Sequence, residues 1–580
     1  MLQPQSKRWV IGGYDQAETS RFAAALGVSL PVAALLIQRG ITTEETAHKL
    51  FNPSFETLHA PALMDGMTAA LARILRAVDA NERILVYGDY DVDGTTGTVV
   101  LRRALSLLGA RTGFHIPNRF TEGYGINRAA LERARDEGYT LIISVDCGIR
   151  AHEPLQWAHE HNLDCIVTDH HLPDDARSLP PAVAVLNPNK PGCTYPDKHL
   201  AGVGVAFKLA QALLEARGRG ALVPGFLKMV ALGTVADMAP LVGENRTIVQ
   251  LGLRDLPKAT NHGLRALMEV AGCDSNGRAV DAGDIGFRLG PRINAAGRMD
   301  AARAVVELFE AETLDDARRF AAQLDEHNRN RQTAQRNIVQ LALAELETLN
   351  GNGEFAHVAV VTGDGWHRGV IGLAASKVAE RAARPCIVIS FDGDTGHGSA
   401  RSAGDYHLLD GLTACGDLFE RFGGHAQAAG LVVNRAQIPE LRRRLSAHAA
   451  SMLGNAPVQP ILKVDLEIEF ESLSLNFARE LSVLEPFGAA WAKPVFATSN
   501  LRVSREPRVM KERHLKLYLA DVNGKTHEAV WWNALEKDHT ATPIIGERIE
   551  LAYCLEQNFW QGNERLQLVV QDLRTVKSDK

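Results

Sequence analysis

Between residues 70 and 240 the chain alternates short apolar runs with segments of helical spacing, and this alternation restricts the fold more than any other feature. The stretches 84–87, 112–116, 140–145, 165–168 and 183–186 read as strands, while 95–108, 127–137 and 152–161 read as helices. Apolar runs of four to six residues are too short for buried helices and are separated by helices long enough to cross back. That pattern specifies α/β architecture, a parallel sheet with helices on both faces. In such a sheet ligands bind beyond the carboxyl ends of the strands.

What stands at those ends is acidic. The first run continues into Gly88-Asp89-Tyr90-Asp91-Val92-Asp93-Gly94, and if the backbone stays extended there, Asp89, Asp91 and Asp93 point the same way. Three carboxylates on one side raise one another's pKa unless a cation lies among them. An inert acidic turn is one reading and a hard divalent ion is the other. A calcium loop of the EF-hand kind is excluded, because the twelfth residue from Asp89 is Val100 and a strand precedes the loop. The run 141–145 leads into Asp146-Cys147-Gly148, and 165–168 into Asp169-His170-His171. The apolar segment 230–236 reads as a fourth such end and closes on Asp237. A lone aspartate at a strand end is usually a turn or cap residue. Four on the ligand side of one sheet favour a metal site, and carboxylates with imidazoles suit Mn²⁺ or Mg²⁺ better than zinc. There are enough carboxylates for two ions.

The D-x-D-G string, Asp146, Asp169-His170-His171 and Asp237, in this order, resemble the DHH phosphoesterase superfamily. Two longer strings, Ile116-Pro117-Asn118-Arg119 running to Glu122-Gly123-Tyr124-Gly125 and Gly290-Pro291-Arg292-Ile293-Asn294-Ala295-Ala296-Gly297-Arg298, resemble its bacterial single-strand-specific DNA exonucleases. The resemblance covers nearly the whole chain. It implies metal ligands at Asp91, Asp93, Asp146, His170 and Asp237, with Asp89 as ligand or neighbour and His171 beside the metal or on the scissile phosphate. It implies a two-metal centre of Mn²⁺ or Mg²⁺ and release of 5′-mononucleotides from single-stranded DNA in the 5′→3′ direction, in recombination and repair. It places Arg119 on the 5′-terminal phosphate and Arg292 and Arg298, read here in a Gly- and Asn-rich loop, along the DNA backbone. One position departs: many superfamily members carry a His four residues before the first D of D-x-D, and here Tyr87 stands there.

The same resemblance organises the rest of the chain. Short helical patterns and the breaks at Asn52-Pro53-Ser54 and Ala60-Pro61 suggest a lead-in segment at 1–70, packed on the next domain; the resemblance gives a parallel-sheet DHH domain at 71–300 and a connecting helix at 301–352. A smaller α/β DHH-associated domain follows at 353–455 and an OB-like β-barrel at 456–580. The stretch 311–349 has no proline or glycine, and its arginines (Arg318, Arg319, Arg329, Arg331, Arg336) fit either a solvated face or the floor of a nucleic-acid channel. In the DHH-associated domain, Ser399, Arg401, Gly423, Gly424 and His425 are the residues expected at the strand backbone, glycine turns being good phosphate cradles. Short alternating strands after 460 suit a barrel, with His514, Lys516, Trp531, Trp532 and Trp560 available to unpaired bases and core packing claiming some of the tryptophans.

Composition mainly excludes. A net charge of −6 argues against a histone-like binder but not against a basic groove in an acidic body. The seven cysteines form no C-x-x-C pair and fit free thiols in a reducing cytoplasm. Residues 1–16 hold no apolar core followed by a small-residue cleavage site, so secretion is not expected. The most tempting membrane run, 222–242, is interrupted by Pro224, Lys228, Asp237 and Pro240, so no membrane span is expected. The expected partner is single-stranded DNA, acted on by a monomer; single-strand-binding protein and a RecQ-like helicase follow from the resemblance alone. Two rival functions stay open: a DHH phosphodiesterase for small nucleotides, which needs no barrel, and a catalytically dead DNA-binding scaffold, which need not keep the acidic residues.

Overall fold

The structure is a computed structural model that describes residues 7–174, 178–273, 279–299, 301–351, 357–453, 460–536, 542–560 and 563–576. The boundaries expected at 300, 352, 353, 455 and 456 all fall on residues outside that set. The chain divides into two compact units, one of Arg39–Arg329 with Ser482–Lys493, the other of Met1–Gln38, Asn330–Leu481 and Pro494–Lys580.

The first unit is built on five parallel strands, β1 (Arg83–Gly88), β2 (Arg111–His115), β3 (Leu141–Val145), β4 (Asp164–Thr168) and β5 (Ala184–Leu186). Their spatial order is β2-β1-β3-β4-β5. From β1 the chain moves outward to β2 and then returns to the other side of β1 for β3. The order therefore reverses between β1 and β3, and the crevice at their carboxyl ends is the place such a sheet offers a ligand. One face is covered by α1 (Val92–Leu107), α2 (Gly202–Ala216) and α3 (Leu227–Ala236), the other by the helices Arg128–Asp136 and His152–Glu160.

Two expectations are corrected here. The acidic loop does not stay extended after β1: Asp91 is the N-cap of α1, its side chain accepting from the Gly94 amide at 3.0 Å, so Asp93 lies in the first turn of a helix. A buried helix start was hard to read because the segment carries three threonines, but Thr96 and Thr98 return their hydroxyls to the carbonyls of Val92 and Gly94 at 2.7 and 2.8 Å. The segment before Asp237 is also a helix, α3, not a strand. It is apolar nearly all round and almost wholly buried, a case in which periodicity cannot separate helix from strand. The segment Ser482–Lys493 belongs to this unit through Arg246, which donates to the carbonyls of Leu484, Glu485 and Pro486 and lies over the Trp491 ring at 4.3 Å.

A helix of 38 residues, α5 (Leu314–Gly351), follows α4 (Gly290–Arg298) and the helix Arg303–Glu310. Its arginines are engaged: Arg318 pairs with Glu269, Arg319 with Asp316 and Arg329 with Asp325, each at 3.0 Å.

In the second unit, β6 (Ala359–Asp364), α6 (Arg368–Ala382), β7 (Cys386–Asp392), β8 (Thr395–Arg401), β9 (Phe419–Gly424) and β10 (Ala428–Asn434) form a sheet of order β9-β10-β8-β7-β6. Five later strands, β11 (Phe496–Met510), β12 (His514–Ala520), β13 (Thr526–Trp531), β14 (Arg548–Trp560) and β15 (Asn563–Thr575), run in the order β11-β12-β13-β15-β14. β14 pairs back with β11, which closes a five-stranded barrel. Trp531 is core in this barrel at 2% exposure, whereas Trp532 is 47% exposed. His514 is buried and Lys516 pairs with Glu528 at 2.7 Å, so of the groups proposed for bases Trp532 alone is open and unclaimed by the core; the Trp560 side chain lies outside the described residues. The first strand, Arg8–Ile11, pairs with Ile461–Val464, so this end of the lead-in segment joins the barrel's approach, not the parallel sheet. All seven cysteines are buried free thiols, and among the described residues no single helix is long and apolar enough to cross a membrane.

Candidate metal centre

Seven of the residues singled out in the sequence meet at the β1–β3 crevice. Asp89, Asp91 and Asp146 form one set whose oxygens lie within 4.8 Å of one another; Asp93, His170 and Asp237 form a second, and Asp146, His170 and His171 a third. His170 Nε2 is 3.2 Å from Asp146 Oδ1, 3.8 Å from Asp93 Oδ2 and 4.0 Å from Asp237 Oδ2. Asp146 and His170 each belong to two sets, so the cluster is continuous.

Local structure explains each position. Asp93 is wholly buried and accepts the amides of Gly202 and Val203 at 2.7 and 2.6 Å, at the positive start of α2. Asp146 follows β3 in a left-handed conformation, φ 61°, and its carboxylate faces His170 and the start of α2. Asp169 stands behind the two imidazoles and belongs to none of the three sets. Its carboxylate accepts the amides of Ile149, His170 and His171 and lies 2.8 Å from His171 Nδ1. Asp237 caps the end of α3.

The electrostatics are those of carboxylates packed closely together in a buried site. Burial, then the charge of Asp91, pushes Asp89 up to about 8 and Asp93 to about 7. Burial and then Asp93 and Asp91 push Asp237 to about 9, and burial with the charges of Asp93, Asp91, Asp89 and Asp169 holds Asp146 well above the usual carboxylate range. Asp89 Oδ1 and Asp146 Oδ1 are buried with no hydrogen-bond partner among the described residues. The two imidazoles separate. Burial and the neighbouring His171 lower His170 to about 4, so it is neutral and can offer a lone pair. His171 is raised despite burial, through its bond to Asp169, and is the more cationic of the two. Buried orphan oxygens and one neutral imidazole fit divalent cations of the Mn²⁺ or Mg²⁺ kind.

Tyr87, at the position of the superfamily His, takes no part: its hydroxyl donates to the Gly125 carbonyl at 2.9 Å inside the core. Asp89 lies in the set with Asp91 and Asp146. Arg119 is exposed with its guanidinium 5.1 Å from the centroid of Tyr90, between Asp89 and Asp91. Arg292 and Arg298 are corrected: Gly290–Arg298 is helix α4, preceded by a π-helical turn, not a loop. Arg292 is committed to Asp325 at 2.9 Å and the Arg288 carbonyl at 2.6 Å, whereas Arg298 ends the helix close enough to Tyr90 to act on its hydroxyl. In the second unit Arg401 Nη1 donates to Ser399 Oγ at 3.1 Å on β8. Across that sheet Ser399 faces Gly430, which faces Gly423, so a row with no side chain beyond a hydroxyl crosses three strands. Gly424 has φ 150°, and His425 opens the exposed turn after it.

Sequence reasoning gave no role to Tyr124, whose hydroxyl is 3.2 Å from the Asp146 carbonyl and 3.3 Å from His171 Nδ1. It also missed Asn187 and Asn189, which donate to the carbonyls of His171 and His170 at 2.9 and 2.8 Å. Asn294 on α4, which accepts the Val92 amide at 3.3 Å, is a third case. An N-P-N string one strand downstream of the D-H-H is the only signal that Asn187 and Asn189 leave.

Family comparisons agree with this geometry. The model of the DHH family N-terminal domain matches residues 83–234, that of the DHHA1 domain 353–451 and that of the RecJ OB domain 464–572. The chain is 36% identical to a single-stranded-DNA-specific exonuclease RecJ of Bacillus subtilis, over 97% of this chain and 70% of that protein. The chain belongs to the RecJ family. A second RecJ, from Thermus thermophilus, is 34% identical over 98% of this chain and 78% of its own length. The crystal structure of T. thermophilus RecJ in complex with Mn²⁺ superposes with a TM-score of 0.82 at 30% identity, covering 98% of this chain and 80% of that one.

Proposed function

We propose that this chain is a metal-dependent exonuclease that degrades single-stranded DNA from the 5′ end to 5′-mononucleotides. The observation that carries it is the cluster of closely packed carboxylates and imidazoles at the β1–β3 crevice, two of its buried oxygens without a hydrogen-bond partner among the described residues, in a chain of the RecJ family. In the proposed roles Asp89, Asp91 and Asp146 hold one ion, and Asp93, His170 and Asp237, with Asp146 in reach, hold the other. Bound Mn²⁺ or Mg²⁺ would supply a water of lowered pKa and offset charge on the scissile phosphate. His171, whose pKa is raised through its bond to Asp169, would donate to a non-bridging phosphate oxygen. The Tyr124 hydroxyl lies 3.3 Å from the same His171 Nδ1. Neutral His170 contributes a lone pair and no positive charge. Arg119 offers a fork to the 5′-terminal phosphate, and the Ser399–Gly430–Gly423 row lets a strand backbone approach a sheet closely. The closed barrel presents Trp532 for stacking on unpaired bases.

The protein is read as a cytoplasmic monomer, its seven free thiols suiting a reducing compartment, with single-strand-binding protein and a RecQ-like helicase as partners in recombination and repair. Incubation with Mn²⁺ and single-stranded DNA labelled at either end tests the activity. Early release of a labelled mononucleotide from the 5′ label is expected; release from the 3′ label first, or none at all, overturns it. Arg119→Ala should lower kcat/KM on 5′-phosphorylated single strands about 10–100-fold, the scale of a lost charge-assisted hydrogen-bond pair. The loss should be smaller on 5′-hydroxyl ends, measured side by side.

A further inference from the structure

The loop between β2 and the helix Arg128–Asp136 carries Arg119 with no regular secondary structure of its own. Hydrogen bonds shape it instead. Asn118 Oδ1 accepts the amides of Phe120 and Thr121 at 2.8 and 3.1 Å, and the Asn118 carbonyl accepts those of Glu122 and Gly123 at 2.8 and 3.1 Å. These bonds close residues 118–123 into one turn but leave its direction free. Glu122 fixes the direction. Its Oε2 accepts the Asn118 amide at 2.8 Å and lies 3.3 Å from His115 Nε2 at the end of β2, and its Oε1 accepts Arg133 Nη2 at 2.6 Å from the following helix. The turn is thereby pinned to a strand and a helix of the sheet that carries the acidic cluster.

Arg119 is the residue next to the pinned amide. Among the described residues its guanidinium lies over the face of Tyr90 and is near enough for its charge to act on Asp89, but it makes no hydrogen bond or ion pair that would fix it. An arginine so lightly held on its own side chain keeps its aim only if the turn beneath it does not move. We propose that Glu122 is a positioning residue for Arg119, setting where the 5′-terminal phosphate is held, and so the preference for phosphorylated 5′ ends, without touching the substrate. The inference rests on the phosphate role proposed for Arg119. A shift of the fork by about an ångström is enough to cost on the order of 10²-fold where recognition is geometric.

The test is steady-state kinetics on single strands with a 5′-phosphate or a 5′-hydroxyl, for the full-length parent, Glu122→Ala, Glu122→Gln, Arg133→Ala, Arg119→Ala and Arg119→Ala/Glu122→Ala. Glu122→Ala should lower kcat/KM on phosphorylated ends about 10-fold, chiefly through KM, and change hydroxyl ends by less than about twofold. The double variant should be no worse than Arg119→Ala, because the two residues act through one contact. Glu122→Gln, which keeps an acceptor for the Asn118 amide but loses the charge facing Arg133, should fall between. Equal loss on both kinds of end, or unchanged preference, in Glu122→Ala overturns the positioning role. If Glu122→Ala does not fold, Glu122→Gln and Arg133→Ala decide by the same ratio, and an unchanged ratio in both is the overturning result. Should Arg119→Ala itself leave the ratio unchanged, the phosphate role of Arg119 fails, which is a separate outcome from loss of preference in Arg119→Ala but not in Glu122→Ala.

Discussion

Replacing Asp237 with asparagine is expected to reduce nuclease activity by at least about 10²–10³-fold, the range for losing one preorganised electrostatic group, and to raise the thermal stability of the metal-free protein. The two effects have one cause. Asp237 stands at the end of α3 with its carboxylate 4.0 Å from His170 Nε2, and burial and the charges of Asp93 and Asp91 push it up to about 9. A carboxyl whose pKa is higher folded than unfolded stabilises the fold below the unfolded value, and that contribution is lost as pH rises towards the folded one. The window therefore runs from about pH 4 to 9, and near pH 8 most of the contribution is already lost. Asparagine removes that pH-dependent loss. Thermal melts in chelator at pH 8 should place the variant above the parent, with the gap closing towards pH 5. Mn²⁺ should raise the melting temperature of the parent more than that of the variant. A variant that melts below the parent in chelator, or that retains near-normal cleavage, would remove Asp237 from the proposed ligand set.

The parallel sheet was legible because its evidence is local: each strand is a short apolar run and each ends in a polar group that a helix start or turn then uses. Asp89, Asp146 and the D-H-H pair could be placed at one crevice from that alone, since topology puts all carboxyl ends on one edge. What failed was backbone geometry within a few residues of those ends. Asp91 and Asp93 converge through a helix cap and a first helical turn, not through the alternation of a strand, and the same residues would gather either way. The segment before Asp237 ends near the cluster as a helix, and its uniform apolarity conceals its period. Trp531 and Trp532 are adjacent and chemically identical, yet barrel pleating buries one and exposes the other. Arg292 is taken by Asp325, 33 positions away, and no spacing rule reports that. Residues whose role comes from a long-range partner, such as Tyr124 and Gly202, left no trace that composition or periodicity could show.

Gly202 is the sharpest of these cases, and Gly202→Ala is expected to disable the centre without altering any proposed ligand. At the start of α2 the backbone of this residue does two things: its amide donates to Asp93 Oδ2 at 2.7 Å, and its bare Cα leaves room for Asp146. A methyl group there would meet Asp146 Oδ1, Cβ and Cγ at 2.6, 2.7 and 2.8 Å. Those atoms are not the free end of a flexible chain, because Asp146 is buried and already in a left-handed conformation. Either the carboxylate leaves the cluster or α2 retreats from Asp93, and both outcomes separate the two sets of ligands. Overpacking of this kind costs about 1–3 kcal/mol of stability, and displacement of the supporting contacts should weaken Mn²⁺ binding about 10–100-fold. Gly204→Ala, two residues along the same helix, supplies the contrast. Its Cβ would come no closer than 3.2 Å to a neighbour, the Leu200 Cδ2 at the end of a side chain that can rotate, and alanine is favoured over glycine in a helix by about 1 kcal/mol. Mn²⁺ titration by calorimetry and cleavage rates on both variants should find Gly204→Ala close to the parent and Gly202→Ala at least about 10²-fold slower. Parent-like metal binding and rate in Gly202→Ala would mean that Asp146 can move freely, and its place as the residue shared by two ligand sets would fall with that result.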